Sequence, residues 1–440
     1  MYFLYSCIYT IAFILLSPYF LIRYSKYLSG VKQRLGFVPK LDNSERKVVW
    51  IHCVSVGEVN AARPLIDVIL KRYSNYQVVI STTTATGQKH AKELYGSRVT
   101  SVIYFPYDWK NTVKRTLSRV KPKLVLIMET EIWFRFYREA SKEDVRLFIV
   151  NGRISEKSAK RYSWIRATMK RVLKYLEIAM MQDHDDATRL IQLGIRSSKV
   201  KVTGNMKFDQ KLIPEDGEVI RYFRERFGIS KSAPLIVAAS THGPEESLVL
   251  TAFKNVWKES KGNLPRLLIA PRHPERFNDV ETEIRKSGFD WVRRTEKESN
   301  RDKAAEIILL DSIGELREIY PISEIVFVGG SILPRGGQNI LEPAFCNNAI
   351  VTGPHMENFA AIAHEFILNE ALEQLPETDQ EGTVEALTEA FSILLNKPEL
   401  RKILSENALM VANRSRGATE KTLDILQPYF ELDKPPKLYR

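Results

Sequence analysis

Two doubly wound α/β domains are predicted, and three features of the 440-residue sequence predict them. Short, almost wholly apolar runs alternate with amphipathic stretches, the alternation restarts after a polar interval, and chemistry-bearing side chains sit just after the apolar runs. The first set is VVWIHCV (48–54), YQVVIST (76–82), KLVLIME (123–129) and VRLFIVN (145–151), with helical patterns such as Val59 to Tyr73 between them. Near-continuous apolar strands separated by helices mark a parallel sheet covered on both faces. Residues 208–233 are polar and carry Pro214, Asp216 and Gly217. After them come PLIVAAS (234–240), RLLIAPR (266–272), EIILLDS (306–312) and EIVFVGG (324–330). The expected division is therefore a segment 1–22, a first domain 23–207 and a second domain 208–440. Ligands of open parallel sheets sit at the carboxyl ends of strands, so two such domains are expected to face a shared cleft.

Composition narrows the function. Apolar residues at 44% and charged residues at 27% are ordinary globular values. A net charge of +12 calls for an anionic partner: nucleic acid, an acidic membrane face or a phosphorylated substrate. The basic residues are dispersed rather than interleaved with aromatics, which argues against nucleic acid. Three widely spaced cysteines suit a reducing compartment, and the seven histidines show no metal-ligand spacing, so no metal is expected. Neither a G-x-S-x-G elbow, a P-loop nor a G-x-G-x-x-G turn occurs.

Met1 to Ile22 carries no charged side chain, about the ~20 residues a helix needs to cross a bilayer. Arg23, Lys26, Lys32, Arg34 and Lys40 follow before the first acidic residue, Asp42. The positive-inside rule then keeps everything after the segment in the cytoplasm, and the lack of a cleavage site favours an uncleaved anchor. Tyr2, Tyr5, Tyr9, Tyr19 and Pro18 weaken a span, and a helix lying in the interface is the second reading.

The densest signal for a ligand is VFVGGSILPRGGQNILEPAFCNNAIVTGP (326–354). A strand, two glycine pairs and a polar helix start suit a nucleotide, because glycine admits close approach and free N–H groups face an anion. In the first half, Glu58 follows strand 48–54, either as a residue favoured by the helix dipole or as a general base. Ser81 to Thr84 form a hydroxyl-rich turn that suits a hydroxylated ligand or helix capping. Glu129 and Glu131 both follow strand 123–127, at i and i+2 beside Trp133; one could pair with Lys207 or Arg153, or stabilise a polar transition state. Lys207, in GNMKFD at the domain junction, could reach an anion. In the second half Ser240 and Thr241 precede a helix start, Arg272 and His273 end strand 266–270, and Ile313-Gly314-Glu315 opens a helix. Glu342 could accept from ribose hydroxyls.

SVGE (55–58), METEIW (128–133), NGRIS (151–155), GNMKFD (204–209), STH (240–242), PRHPER (271–276) and GGS…GG.N.LEPA (329–344) together resemble one family, in order and over nearly the whole chain. It is the 3-deoxy-D-manno-octulosonic acid (Kdo) transferase family of lipopolysaccharide assembly, glycosyltransferase family 30. The resemblance implies a GT-B fold and inverting transfer of Kdo from CMP-Kdo to a lipid A precursor, lipid IVA, with no bound metal or cofactor. It implies Glu58 as the base that deprotonates the acceptor, with Glu129 and Lys207 stabilising the transition state. Arg272, His273, the turn Ile313-Gly314-Glu315 and Asn339, Ile340, Leu341 and Glu342 match the CMP-binding positions. Two departures stand out. Trp133 is followed by Phe134-Arg135 where the family usually has Pro-Asn, and Gln338 stands where it usually has His. The runners-up are another GT-B nucleotide-sugar enzyme, such as a 2-epimerase, and a non-catalytic membrane-tethered binding protein.

Overall fold

The computed structural model describes residues 1–23, 30–41, 46–209, 217–230, 233–259 and 264–431, with the side chains of 16–23 and 361 excepted. The chain divides into a first unit, Met1–Gln210 with Arg416–Arg440, and a second unit, Lys211–Ser415. Of the polar interval expected at the boundary, residues 210–216, 231 and 232 lie outside the described residues, as does Lys26 of the basic flank.

The first unit holds β1 (Lys47–His52), β2 (Tyr76–Thr82), β3 (Ser101–Tyr104), β4 (Leu124–Met128), β5 (Arg146–Gly152), β6 (Leu176–Met181) and β7 (Val200–Val202). They form one sheet in the order β3-β2-β1-β4-β5-β6-β7, with every strand pairing parallel among the described residues. Side chains alternate between its two faces. Val48 and Trp50 of β1 enter one core cluster with Val125 and Ile127 of β4, while Val49 and Ile51 enter another with Leu124 and Leu126. Both faces are covered, which is why these strands are continuous apolar runs.

The second unit repeats the plan with β8 (Leu235–Thr241), β9 (Arg266–Pro271), β10 (Trp291–Arg293), β11 (Ile307–Leu309), β12 (Ile325–Val328), β13 (Ala349–Thr352) and β14 (Glu373–Gln374). Its order is β10-β11-β9-β8-β12-β13-β14, again parallel. Each sheet thus has strands beyond the four read from the sequence. Most of the added ones are two to four residues long, too short to show a periodicity.

The second domain was expected to run to residue 440, but the last helix, Ala418–Glu431, belongs to the first unit. Its apolar face explains the return. Ala418, Leu423, Leu426 and Phe430 are buried in the cluster that holds Val49 and Ile51. Phe430 stacks on Tyr73 at 4.1 Å, and its carbonyl accepts the Tyr76 hydroxyl at 3.0 Å. Asp209 holds the helix start by accepting the Gly417 amide at 2.7 Å and the Thr419 amide. Truncating a buried phenylalanine such as Phe430 costs about 3–5 kcal/mol.

The N-terminal segment forms the helix Tyr2–Arg23. The span expected there is not supported: among the described residues no helix is long and apolar enough to cross a membrane. The tyrosines, Ser6 and Thr10 lower the mean hydropathy, and one face of the helix is bound to the first unit. The hydroxyl of Tyr5 donates to Asp108 at 2.7 Å, and that of Tyr2 to Tyr175 at 3.2 Å.

Candidate active site

Strand β1 ends at His52, and the helix Val56–Arg72 starts after the N-cap Ser55. Glu58, in its first turn, reaches backward and accepts the Val54 amide at 2.7 Å. That bond folds the carboxylate over the helix start, where the dipole favours a negative charge. A simple cap is solvated and ionised, however, whereas Glu58 is only 8% exposed. Burial pushes its carboxyl up to about 8, the negative charges of Glu129 and Glu131 add to the rise, and the Val54 amide and Lys207 oppose it.

Glu129 follows β4 with a left-handed backbone (φ 55°), its amide donating to the Val150 carbonyl at 3.0 Å. A non-glycine residue in that region costs on the order of 1 kcal/mol and marks a position held by its surroundings. Lys207 Nζ lies 3.6 Å from Glu129 Oε1, so Lys207 and not Arg153 is the carboxylate's partner. Both side chains are about one-third exposed, and such a pair is worth at most about 1 kcal/mol to stability. Its meaning lies in placement. The turn Met206–Asp209 that carries Lys207 is pinned at three points: the Met206 amide donates to Asn151 Oδ1 at 2.9 Å, the Lys207 amide to Asn205 Oδ1 at 3.0 Å, and Asn205 Nδ2 to Gln182 Oε1 at 3.0 Å. Glu131 is half-buried, and burial followed by Glu129 raises its carboxyl too. Glu58 and Glu129 thus share one lysine with Glu131 as a further negative charge, and the burial of Glu58, whose carboxyl is pushed up to about 8, favours its protonated form at neutral pH. A carboxyl that titrates near the working pH suits proton transfer.

The hydroxyl-rich turn after β2 is used internally. Ser81 accepts the Trp50 indole N–H at 2.7 Å, Thr82 donates to Gln88 at 2.7 Å, and Thr84 caps the next helix by accepting the Gly87 amide at 3.0 Å. Capping and core satisfaction account for these three, while the Thr83 hydroxyl is buried without a hydrogen-bond partner among the described residues.

In the second unit the glycine-rich loop differs from its expected role as an anion cradle. Its N–H groups already have an anion, the buried carboxylate of Glu245. One oxygen accepts the His242 and Gly330 amides at 2.9 and 2.8 Å, and the other accepts Ser331 and Ile332 at 2.9 and 3.0 Å. Glycine is needed here for space and for conformation. A Cβ at Gly329 would stand 2.7 Å from the Thr241 Cα, and Gly330 adopts a φ of 67°.

Around this clamp the structure gathers a basic group. The His242 and His273 rings meet edge to face at 5.2 Å, and the charges of Arg335, His273 and Arg272 add to the burial that holds His242 below its usual range. His242 Nε2 is buried with no hydrogen-bond partner among the described residues. Glu342 is half-buried; burial raises its carboxyl, while Arg317, the Asn339 side chain and Arg272 counter the rise. Asn339 also caps the short helix Leu341–Phe345 by accepting the Leu341 amide at 3.1 Å. Arg272, His273, Asn339 and Glu342 therefore belong to one neighbourhood.

The other expected contacts are placed differently. Ile340 and Leu341 have buried side chains and offer a ligand only main chain. The Thr241 hydroxyl is committed to Glu246 at 2.8 Å, whose same oxygen takes Arg276 at 2.6 Å. Ser240, half-buried with φ 53°, stays at the end of β8. Ile313 is 81% exposed beside Gly314, while Glu315 pairs with Arg294 at 2.7 Å and accepts the Ser312 hydroxyl. Among the described residues, no three His, Cys, Asp or Glu side chains converge as a metal-ligand set.

Two residues carry more than the sequence reading assigned. Asn151, fully buried with φ 54°, anchors the lysine turn. Its signal was an Asn-Gly at a strand end, since asparagine tolerates left-handed backbone better than most. Glu245 lies in the first turn of the helix after β8, and three of its four amide donors lie 85 to 87 residues away.

Comparison with known proteins places the chain in a family. A family model for 3-deoxy-D-manno-octulosonic-acid transferase (kdotransferase) matches residues 29–210. The chain is 33% identical over 407 residues to the 3-deoxy-D-manno-octulosonic acid transferase of Haemophilus influenzae, covering 92% of each. It is 30% identical over 387 residues to that of Bordetella pertussis, covering 87% of each. Among solved structures, UDP-GlcNAc 2-epimerase from Neisseria meningitidis bound to UDP-GlcNAc matches with a TM-score of 0.60 over 87% of this chain and 99% of that one. Its 14% identity speaks for the fold alone, two parallel-sheet α/β units of GT-B-like kind. With a third of its residues shared across nine-tenths of a relative's length, the chain belongs to the 3-deoxy-D-manno-octulosonic acid transferase family of glycosyltransferases.

Proposed function

We propose that the chain transfers Kdo from CMP-Kdo to a lipid A precursor, lipid IVA, with inversion at the anomeric carbon. One observation carries the reading: a buried carboxyl at Glu58, pushed up to about 8, beside the Glu129–Lys207 pair. Glu58 in its ionised form takes the proton of the acceptor hydroxyl as that oxygen bonds to the anomeric carbon. The bond from that carbon to the phosphate oxygen breaks, and its electron pair leaves with CMP. An oxygen attacking opposite a departing phosphate inverts the centre, so a single base suffices.

Lys207, held by Glu129, offers a cation to the charge that develops on the reacting sugar. In the second unit Arg272, with His273 near it, supports the leaving phosphate, and the guanidinium suits two phosphate oxygens at once. Asn339, Glu342 and the turn Ile313-Gly314-Glu315 are assigned to the nucleoside. The Glu245 clamp shapes the loop beside them and does not bind the phosphate itself. We further infer that the chain works at the cytoplasmic face of the inner membrane, held there through its N-terminal helix, where a phosphorylated lipid acceptor resides.

Replacing Glu58 with Gln tests the assignment. Transfer from CMP-Kdo to lipid IVA is expected to fall by about a hundredfold or more, the range typical of a lost general base. CMP binding, measured by calorimetry, is expected to stay within about twofold, because Glu58 touches no donor contact. Full transfer by this variant sinks the base assignment.

A further inference from the structure

The N-terminal helix has two faces, and the first unit uses only one. Tyr2, Tyr5, Ser6, Tyr9, Thr10 and Phe13 form the bound stripe. The carboxylate of Asp108 is its anchor: fully buried, it accepts the Tyr5 hydroxyl at 2.7 Å and the amides of Arg135 and Phe136 at 2.9 and 2.7 Å. Arg135, 7% exposed, donates from Nε to Ser6 Oγ at 2.9 Å and from Nη2 to the Tyr2 carbonyl at 2.7 Å. Phe134 stacks on Tyr5 at 4.8 Å, and the Trp109 indole N–H donates to Thr10 at 2.9 Å. The dipeptide Phe134-Arg135, which departs from the family's usual Pro-Asn, is therefore the receptor for this chain's own first helix.

The opposite stripe is apolar and open. Phe3, Leu4, Ile8, Ile11 and Leu15 are 80, 62, 58, 58 and 72% exposed. Positions 4, 8, 11 and 15 fall on one helical face, half a turn from the bound stripe. The clamped residues 2–13 cover about 18 Å of helix at 1.5 Å per residue. A helix tied along that length to a water-soluble fold cannot also cross a bilayer with the same residues.

A second surface adjoins it. The hairpin of helices Glu156–Ser163 and Arg166–Leu173 turns at Trp164 and Ile165, 83 and 44% exposed. Lys157, Lys160, Arg161, Arg166, Lys170, Arg171 and Lys174 are all exposed on it, against the single acidic residue Glu156. The base of the hairpin, at the end opposite Trp164, touches the first turn of the N-terminal helix through the Tyr2–Tyr175 contact. An exposed tryptophan among basic side chains, on the same unit as an open apolar helix face, has the chemistry that binds an anionic lipid surface.

We propose that the N-terminal helix lies flat in the plane of an anionic membrane surface, clamped to the first unit by Asp108 and Arg135, and that the Trp164 hairpin binds the same lipids beside it. The inference rests on the membrane attachment proposed above and specifies its geometry.

The test uses the full chain with vesicles of phosphatidylglycerol and phosphatidylethanolamine. A protease-cleavable tag placed before Met1 and another after Arg440 are expected to be cut from the same side of the vesicle. A tag before Met1 that is protected while the other is cut means a spanning helix and overturns the proposal. Ile8→Glu with Ile11→Glu is expected to abolish flotation with the vesicles. Lys160→Ala with Arg161→Ala should weaken binding about thirtyfold, at the usual contribution of a basic residue near an anionic surface. Unchanged flotation in either pair removes that surface from the proposal. Both pairs are exposed substitutions in the first unit, and circular dichroism of the full chain reports that they fold. Transfer to lipid IVA in detergent micelles is read separately, so loss of vesicle binding with retained transfer leaves the Glu58 reading standing.

Discussion

Glu58 and Glu245 occupy matching places in the two units, each in the first turn of the helix that follows the unit's first strand, yet they do opposite work. Glu245 is 1% exposed and accepts four backbone amides, two on each oxygen. Glu58 is 8% exposed and accepts one. Burial raises the first carboxyl too, but four amides oppose the rise, and it serves as an internal acceptor that shapes a loop. The second has one donor, two like charges and a single lysine nearby, so the proton is held to about pH 8. The number of amides aimed at a buried carboxylate separates a structural residue from a chemical one.

The largest effect expected from breaking this contrast is on catalysis. Glu58→Gln is expected to lose transfer by two orders of magnitude or more with its fold intact. Glu245→Ala, by contrast, leaves four buried amides without an acceptor. A cost of about 3 kcal/mol or more in the stability of the second unit is expected, read by calorimetry of the full chain. Unfolding within about 1 kcal/mol of the parent would show that the clamp is dispensable. Glu245→Gln, which keeps one acceptor oxygen, should fall between the two.

Asn151 gives a smaller effect. Asn151→Ala removes the acceptor of the Met206 amide and forces alanine into a left-handed backbone, a loss of about 2 kcal/mol in urea unfolding. Asn151→Gly keeps the conformation and should recover about half of that loss. Equal losses in the two variants would mean that the backbone angle carries no cost here.

The smallest expected effect is a displacement of the pH profile. The ionised carboxylate is the base, so kcat/KM is expected to rise with pH to about 8 and then level. Glu129→Gln removes a like charge that raises the Glu58 carboxyl, so the midpoint should move to lower pH whatever happens to the plateau. A midpoint that stays in place separates Glu129 from the titration of Glu58. The stability sign is opposite to that of activity. The folded chain holds the Glu58 proton above the ordinary carboxyl range, so stability falls as pH rises from about 4.3 toward 8, and Glu58→Gln should flatten that slope.

Much of this was readable in the linear chain, for identifiable reasons. The long central strands showed as apolar runs because both faces of a parallel sheet are covered, while β10 and β14 at the sheet edges are too short to leave a pattern. Glu58, Glu129 and Lys207 stood out because each sits in a motif beside a strand end or junction. The N-terminal run was readable as apolar, but its tyrosines at positions 2, 5 and 9 needed Asp108, Phe134 and Tyr175 to become a bound face. The last helix likewise shows an amphipathic pattern that does not say which sheet it covers.

By itself the sequence determined the α/β class, the two-unit plan and the family, because these rest on local periodicity and on motifs contiguous in the chain. Tertiary structure alone decided that the glycine-rich loop already holds a carboxylate, that Lys207 pairs with Glu129, and that the first helix is clamped through Arg135. Each of these joins residues more than 75 positions apart. Burial, charge and hydrogen-bond satisfaction are properties of such meetings, and neither residue carries them alone.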